Sequence, residues 1–171
     1  MEQICHPFAP FLEGAPHVLI LGSLPSRASR AAGFYYGHPR NRFWPLMALL
    51  AGADTPPAAE DIEGKKALLR VLGVALWDVV ASCEITGSSD ASIRNVQAND
   101  LGPLLAARPA LRICANGQTA GRLYRLHCRP HTGRDCLILP STSPANAAWT
   151  LPRLAETWQC KCQEEFYPWR S

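Results

Sequence analysis

The sequence predicts a layered α/β domain with a mainly parallel sheet. Three short apolar runs, at 18–21, 111–114 and 137–140, are each followed at once by small and polar residues. This pattern is typical of strands that are buried on both faces of a parallel sheet. A fourth strand is predicted at 74–80, where β-branched residues are frequent, and the stretch 82–90 behind it has the composition of turns. Because helical patterns separate the strands, the layered α/β class follows.

The clearest helix is predicted at 59–72. Its first turns are acidic, Arg70 stands near its end and Gly73 follows it, as the helix dipole and the preference for a terminal glycine favour. Pro152 is expected to perturb the start of the last helix of the chain, since proline disrupts a helix interior. The other predicted helices lie at 43–51, 118–126 and about 146–166.

Length and composition favour one globular unit. The chain has 171 residues, of which 47% are hydrophobic and 18% charged, a composition unlike that of disordered chains. We therefore expect a single domain at 1–171, within the usual size range of domains, and a monomeric protein. The formal net charge of +3 is compatible with a polyanionic partner, but many cytosolic enzymes carry a similar charge.

Neither export nor membrane insertion is predicted. The first ten residues lack the basic region and the long apolar region of a signal peptide. No later stretch approaches the roughly 18 uninterrupted apolar residues of a membrane span. A cytoplasmic protein without membrane contact is expected.

Seven cysteines are scattered along the chain, and an odd number in a chain of this length does not suggest a disulfide framework. We expect most of them to be reduced thiols. Cys160 and Cys162 form a CxC pair that could suggest a metal or an iron–sulfur cluster. Ligand sets usually comprise two close pairs, however, and the sequence has no second pair. No metal is therefore expected.

Polar loops follow three of the predicted strands. They are 22–26 (GSLPS), 115–118 (ANGQ) and 140–146 (PSTSPAN). In a parallel sheet the carboxyl ends of the strands meet at one edge, where binding residues gather. We expect these three loops to form one cleft.

The segment 33–44 (GFYYGHPRNRFW) after the first of these loops concentrates aromatic and basic residues. One interpretation is structural: Phe34 and Tyr35 pack on the core, His38 is a loop residue, and Asn41 caps a helix that begins at Arg42. The other is that an aromatic ring and an amide on this loop form a pocket for a planar base, with the arginines contacting phosphates.

The segment 141–146 also has two interpretations. Ser143 followed by Pro144 matches a helix N-cap with a first-turn proline. The same arrangement would present hydroxyl and backbone N–H groups to a DNA phosphate. The two interpretations are compatible.

Together these strings resemble the uracil-DNA glycosylase superfamily, over roughly residues 19–149. The resemblance is closest to the hypoxanthine-DNA (deoxyinosine) glycosylase branch, near the mismatch-specific uracil/thymine glycosylases, and its most specific strings are HPRNRFW and LPSTSPAN. It implies a three-layer α/β/α sandwich around a four-stranded, mainly parallel sheet. It also implies a cofactor-free enzyme that excises deaminated bases, hypoxanthine and possibly uracil or xanthine, from double-stranded DNA.

The resemblance carries roles to individual residues. Leu24 stands where the mismatch-specific relatives keep the asparagine that positions water, so the resemblance to the hypoxanthine branch implies that Asn41 takes this role. It places Tyr36 against the flipped base and leaves His38 as a catalytic candidate for assisting the leaving group. The remaining base-binding candidates are Gly22, Ser23 and Asn116, and the DNA-binding candidates are Arg40, Ser141, Thr142, Ser143, Pro144 and Asn146.

The residues also bear on other functions. The 141–146 segment lacks the histidine of the classical uracil enzymes, which argues against an efficient uracil-specific enzyme, while a mismatch-specific uracil/thymine glycosylase remains an alternative. A non-catalytic nucleic-acid-binding domain would use the aromatic and basic loop to stack on single strands. A nucleotide-binding α/β domain is disfavoured, because neither a GxGxxG nor a GxxxxGK[ST] pattern is present.

Overall fold

The computed structural model describes residues 1–87 and 89–166, without the side chains of 163–166. It confirms the predicted α/β class with a four-stranded parallel sheet at its centre. The strands are β1 (Glu2–Cys5), β2 (Val18–Gly22), β3 (Val74–Asp78), β4 (Val80–Ile85), β5 (Arg94–Ala98), β6 (Arg112–Asn116) and β7 (Leu137–Leu139). The helices are α1 (Arg27–Ala32), α2 (Phe43–Leu50), α3 (Ile62–Leu72), α4 (Gly102–Ala107), α5 (Gln118–His127), α6 (Arg129–Thr132) and α7 (Leu151–Phe166), with a short 3-10 helix at Asp90–Ser92.

The central sheet has the strand order β3-β2-β6-β7, and all its neighbours are parallel. In its register Leu21 of β2 lies beside Trp77 of β3 and Ala115 of β6. Every residue of β2 is buried, because strands on both sides and helices on both faces cover it. The four predicted strands are therefore confirmed as the members of one sheet, although the strand predicted at 74–80 ends at Asp78.

The two faces of the sheet carry separate hydrophobic cores. Val18 and Ile20 point to the core formed with α2, α3 and α7, whereas Leu19 and Leu21 point to the core formed with α4 and α5. Alternate residues of a strand point to opposite faces, so a strand covered on both faces must be apolar throughout. This arrangement is the predicted three-layer sandwich.

The prediction of turns at 82–90 was wrong for its first part, because β4 extends to Ile85. The chain leaves the central sheet at Val79, whose N–H donates to the Gly22 carbonyl at 2.9 Å. It then forms the middle strand of a second, antiparallel sheet of order β1-β4-β5. Pairing with β1 and β5 stabilises this strand, and the local composition does not indicate those partners.

The helix starts also differ from the predictions. Helix α3 begins at Ile62, after Asp61, whose side chain accepts a hydrogen bond from the Gly64 N–H at 2.9 Å. Helix α7 begins at Leu151 instead of about residue 146. Pro152 therefore lies in the first turn, where a missing N–H breaks no helical hydrogen bond. The expected perturbation does not occur.

No helix of the described residues is long and apolar enough to cross a membrane. Helix α7 buries Cys162 in the core and leaves Cys160 exposed. Within 1–87 and 89–166 no group of three or more His, Cys, Asp or Glu side chains is placed to hold a metal ion.

Candidate active site

A cavity of about 950 Å³ lies at the carboxyl ends of the central strands. The three polar loops at 22–26, 115–118 and 140–146 all contribute to its wall, as does the segment 35–41. The cleft expected from the sequence is therefore present. The predicted site residues that line it are Gly22, Ser23, Tyr36, His38, Asn41, Asn116, Ser141, Thr142, Ser143, Pro144 and Asn146.

The aromatic rings of the segment 33–44 (the aromatic loop) point in different directions. Phe34 and Tyr35 are buried in the core, in agreement with the structural interpretation. Tyr36 turns towards the cavity with a φ of 53°, a left-handed conformation that costs free energy in a residue with a bulky side chain. Its ring stacks on Phe43, with centroids 4.0 Å apart, so one of its faces is already covered.

The Tyr36 hydroxyl is buried and has no hydrogen-bond partner among the described residues. Burial raises the pKa of this phenol, and the Asp78 carboxylate raises it further, while the nearby Asn116 side chain opposes the shift. The hydroxyl therefore stays protonated and keeps an unused donor. A buried donor without a partner is costly, which marks it as a group that a ligand could satisfy.

Asn41 belongs to a hydrogen-bonded chain of side chains. Its oxygen accepts from the Phe43 N–H at 2.9 Å and from the Thr142 hydroxyl at 2.8 Å. The Thr142 hydroxyl in turn accepts from the Asn116 amide at 3.0 Å, and the Asn116 oxygen accepts from the Thr142 N–H at 3.0 Å. These bonds join the end of β6, the 140–146 loop and the start of α2. With both lone pairs of its oxygen engaged, Asn41 has its amide nitrogen left for a bound water.

The structural interpretation of Asn41 was close to the observed geometry. The helix begins at Phe43 instead of Arg42, and the Asn41 oxygen accepts the N–H of its first residue. Asn41 thus anchors the helix start and lines the cavity at the same time.

The Arg42 guanidinium is engaged by backbone carbonyls, whereas a phosphate contact was predicted for both arginines of this loop. Its guanidinium donates to the carbonyls of Ser143, Asn146 and Trp149, and its backbone N–H donates to Thr142 at 3.1 Å. Planar guanidinium donors suit several carbonyls at once. Arg42 thus fixes the shape of the 142–149 loop. Arg40, by contrast, is exposed beside the cavity and lies outside its lining.

The predicted helix start at Ser143 and Pro144 is wrong. The segment forms turns, in which the Ser143 hydroxyl accepts from the Ala145 N–H at 3.2 Å and the Asn146 N–H donates to the Ser143 carbonyl at 2.9 Å. A serine before proline favours turns as well as helix starts. The Arg42 bonds to carbonyls of this segment, which no local pattern reveals, hold it in the turn form.

His38 lies at the bend of the aromatic loop. Its Nδ1 accepts from the Arg40 N–H at 3.1 Å, and its carbonyl accepts from the Asn41 N–H at 2.9 Å. Because Nδ1 acts as the acceptor, Nε2 carries the proton of the neutral ring. His38 lines the cavity, so both interpretations of this residue fit its position.

The sequence analysis missed a buried pair, Asp78 and His6. Asp78 ends β3 inside the cavity wall and is 4% exposed, and its Oδ2 lies 2.7 Å from His6 Nε2. Burial raises the pKa of this carboxyl, while the His6 ring beside it acts in the opposite direction. An aspartate at the carboxyl end of a buried strand was the available signal. The residues 74–80 predict one uninterrupted strand, a pattern in which Asp78 does not stand out as a strand end.

Three basic side chains of the cavity were also missed. Arg27, Arg30 and Lys161 line it, and Arg27 pairs with the exposed Glu2 at 3.0 Å. They lie on α1 and α7, which the sequence analysis did not connect with the site. Glu2 also lies 3.8 Å from Arg30, so it compensates part of the positive charge that these side chains bring to the rim of the cavity.

Comparison with known proteins now adds to this geometry. A family model described as the uracil DNA glycosylase superfamily matches residues 9–166. The chain belongs to the uracil DNA glycosylase superfamily. The resemblance seen in its motifs is confirmed, and so is its class as an enzyme, a DNA N-glycosylase.

Two proteins similar to this chain carry the name hypoxanthine DNA glycosylase. The chain is 36% identical over 150 residues to a protein of Methanosarcina acetivorans named hypoxanthine DNA glycosylase, covering 87% of this chain and 92% of that protein. A protein of the same name from Methanosarcina barkeri is 32% identical over 140 residues, which cover 81% and 86% of the two chains.

A solved structure within the superfamily has the same fold. The solution NMR structure of a candidate uracil DNA glycosylase from Methanosarcina acetivorans superimposes with a TM-score of 0.72 at 35% identity. The match covers 91% of this chain and 94% of the other. In the present chain Leu24 lines the cavity beside Ser23. The loop after β2 therefore presents an apolar side chain to the cavity at position 24.

Proposed function

We propose that this DNA glycosylase removes hypoxanthine from deoxyinosine in double-stranded DNA by hydrolysis of the N-glycosidic bond. The observation that carries the proposal is the cavity wall, where an amide, an aromatic hydroxyl and a buried carboxylate converge at the ends of parallel strands. The names of the two Methanosarcina relatives support hypoxanthine as the base. Uracil and xanthine are further substrates of the same proposal.

The base must leave the helix before it can enter this cavity. Extrusion costs a few kcal/mol, and less for a weak pair such as one that contains inosine, which contributes to selectivity. A volume of about 950 Å³ is ample for a purine with its sugar. The Tyr36 ring, stacked on Phe43, offers a rigid surface beside the base.

In the proposed reaction, water adds to C1′, the bond from C1′ to the base nitrogen breaks, and the base leaves with a proton derived from water. The sugar passes through an oxocarbenium-like state, so the water needs correct placement more than a strong base. We assign this placement to Asn41, whose position is fixed by Phe43 and Thr142. His38 is the candidate for assisting departure of the base.

Contacts with the DNA backbone are proposed for the 141–146 loop and the basic side chains around the cavity. The loop presents Ser141, Ser143 and Asn146 at the cavity wall, held in shape by Arg42. Arg40 is exposed next to it. Such groups position DNA through its phosphates without reading the sequence. The protein is proposed to act as a monomer.

The test is an oligonucleotide panel that contains inosine, xanthine, uracil or thymine opposite each normal base. Excision creates an abasic site, which is converted into a strand break by alkali and measured on a gel. We expect inosine to be processed at least as well as uracil. A clear preference for uracil would place the activity nearer to the mismatch-specific enzymes, and salt-sensitive binding without base release would favour a non-catalytic DNA-binding protein.

A further inference from the structure

The positive charge of this chain is concentrated in one part of the sequence. Residues 101–155 contain seven arginines and a single acidic residue, Asp135, whereas the rest of the chain contains ten basic and thirteen acidic residues. The formal charges of these two parts are therefore +6 and −3. Clustered arginines with so few carboxylates among them are typical of a surface that binds nucleic acid.

We propose that the outer face of helix α5 binds the backbone of the duplex that flanks the damaged base. This face carries Arg122 and Arg125, in line with Gln118 at the start of the helix, and we call these three residues the α5 stripe. The inference rests on the proposed function in taking double-stranded DNA as the substrate, but it does not depend on which base is removed.

The α5 stripe faces solvent because the opposite side of the helix belongs to the core. The stripe residues Gln118, Arg122 and Arg125 are all exposed. They are spaced by four and three positions, so they share one face of the helix. The buried positions of α5 are Ala120, Gly121, Leu123 and Tyr124.

Packing fixes the position of α5 relative to the cavity. A β-carbon at Gly121 would lie 2.5 Å from Ile138 Cδ1, so glycine lets the helix approach β7 closely. Further along the helix, the Tyr124 hydroxyl donates to the Arg134 carbonyl at 2.8 Å. The stripe is therefore part of the same rigid framework as the cavity wall.

The stripe starts at the cavity itself, since Gln118 is one of the lining residues. With a rise of about 1.5 Å per residue, Arg122 and Arg125 lie about 6 and about 10 Å further along the helix axis. Duplex DNA carries one negative charge per about 1.7 Å of its axis. A duplex that delivers a base to the cavity and continues along α5 therefore presents about six phosphates over this length.

The charges of the stripe are available to a ligand. Arg122 and Arg125 make no hydrogen bond or ion pair with any residue in the part of the chain that the structure describes. Asp135 bonds to Arg129 instead. The pKa of Asp135 is lowered mainly by Arg129, and Arg125 adds a smaller effect. One exposed carboxylate is thus shared among several arginines, which leaves a net positive surface.

The rim of the cavity near α1 is different in this respect. Glu2 pairs with Arg27 at 3.0 Å and lies 3.8 Å from Arg30. Because these two arginines are partly compensated, phosphates gain less from them than from the uncompensated stripe. This difference favours a duplex that extends from the cavity over α5.

The principal test is the double variant Arg122→Gln, Arg125→Gln, which keeps long polar side chains with good helix propensity and removes two charges. Binding to a long undamaged duplex is measured at several salt concentrations. We expect the slope of log binding constant against log salt to fall by about 2, one for each lost phosphate contact. An unchanged slope would overturn the inference and leave the stripe as a surface for an acidic protein.

The matched control is Arg108→Gln, Arg112→Gln, which removes two charges from the same basic part of the sequence. Arg108 follows α4, and Arg112 begins β6 at the end of the sheet opposite to the cavity. We expect the wild-type slope in this control. An equal fall in both double variants would overturn the stripe, because net charge alone would then explain the binding. Thermal unfolding establishes that both double variants are folded.

A second measurement locates the stripe on the DNA. Two duplexes contain a stable abasic-site analogue, one with a long flank on its 5′ side only and the other with a long flank on its 3′ side only. Because α5 lies on one side of the cavity, the Arg122→Gln, Arg125→Gln variant should bind one of these duplexes more weakly than wild type and the other equally well. Equal weakening of both would contradict the position assigned to the stripe.

These binding measurements require no release of a base, which separates the inference from the proposed function. If the wild-type protein excises hypoxanthine and the stripe variant keeps the wild-type slope, the stripe is overturned and the proposed function stands. If the slope falls as expected but no base is released in the oligonucleotide panel, the stripe is supported and the proposed function is contradicted.

Discussion

The Thr142 hydroxyl donates to the side-chain oxygen of Asn41 across 2.8 Å, although the two residues are 101 positions apart. This bond joins the loop after β7 to the start of α2, and both loops belong to the cavity wall. Thr142 is completely buried. The orientation of the Asn41 amide is therefore determined from outside its own loop, which makes the two residues a unit for mutational tests.

Asn41→Ala should reduce excision of hypoxanthine about 100-fold or more, because misplaced water has lost its alignment with C1′. Affinity for DNA should change little. Some stability should be lost, about 1 kcal/mol, since the side chain caps α2. Single-turnover rates and thermal unfolding measure the two effects.

Asp61→Ala is the matched control for Asn41→Ala, because it removes a cap from α3, which lies outside the cavity lining. It should lose similar stability with unchanged excision. Turnover close to wild type in Asn41→Ala would reject the assignment of Asn41 to the water.

Thr142→Val should lower both stability and turnover. The change conserves shape but leaves the Asn116 amide and the Asn41 oxygen short of one partner each, at a cost of about 1 to 3 kcal/mol. Thr142→Ser retains the hydroxyl and should restore most of the activity. Denaturant unfolding and single-turnover kinetics would show this, and equal losses of turnover in both variants would mean that the methyl group matters more than the bond.

Arg40→Gln and Arg42→Gln should separate a phosphate contact from a structural one. Loss of one phosphate contact lowers the slope of log binding constant against log salt by about 1, and we expect this for the exposed Arg40. Arg42→Gln should preserve the slope and reduce the unfolding free energy, because its carbonyl partners lose their donors. Binding titrations with an uncleavable duplex at several salt concentrations measure this slope for both variants. The same slope change in both variants would contradict the structural role.

On the acidic side, excision should decline at a pH above the ordinary pKa of an aspartate, which is about 4. Burial raises the pKa of Asp78, and the ionised carboxylate is the form that holds His6 Nε2 at the cavity wall, so activity is present above this pKa and is lost as pH falls through it. His6 opposes the shift, and Tyr35, Tyr36 and Asp90 are the other titratable groups that interact with Asp78. The measurement is kcat/KM against pH for wild type and His38→Gln. An acidic limb that is absent in His38→Gln would contradict its assignment to Asp78.

Much of the fold was predictable because its central sheet is covered on both faces. A strand in that environment must be apolar throughout, and a single run such as 18–21 shows this directly. The predicted helix starts were less accurate than the predicted strands, because capping residues such as Asp61 resemble ordinary turn residues in a sequence. The second sheet was missed, because β4 pairs with β1 at the start of the chain and with β5 beyond the turn-rich stretch, and no local pattern indicates these pairings.

By itself, the sequence determined the fold class, the superfamily and the loops that line the cavity, because apolar runs and the HPRNRFW and LPSTSPAN strings are local patterns. Only the tertiary structure decided what individual side chains do there. It showed that Arg42, predicted to contact a phosphate, donates to backbone carbonyls. It also showed that His6 bonds to Asp78, 72 positions away in the sequence. The physical reason is that hydrogen bonds and burial depend on distances between segments, which a pattern along the chain does not contain.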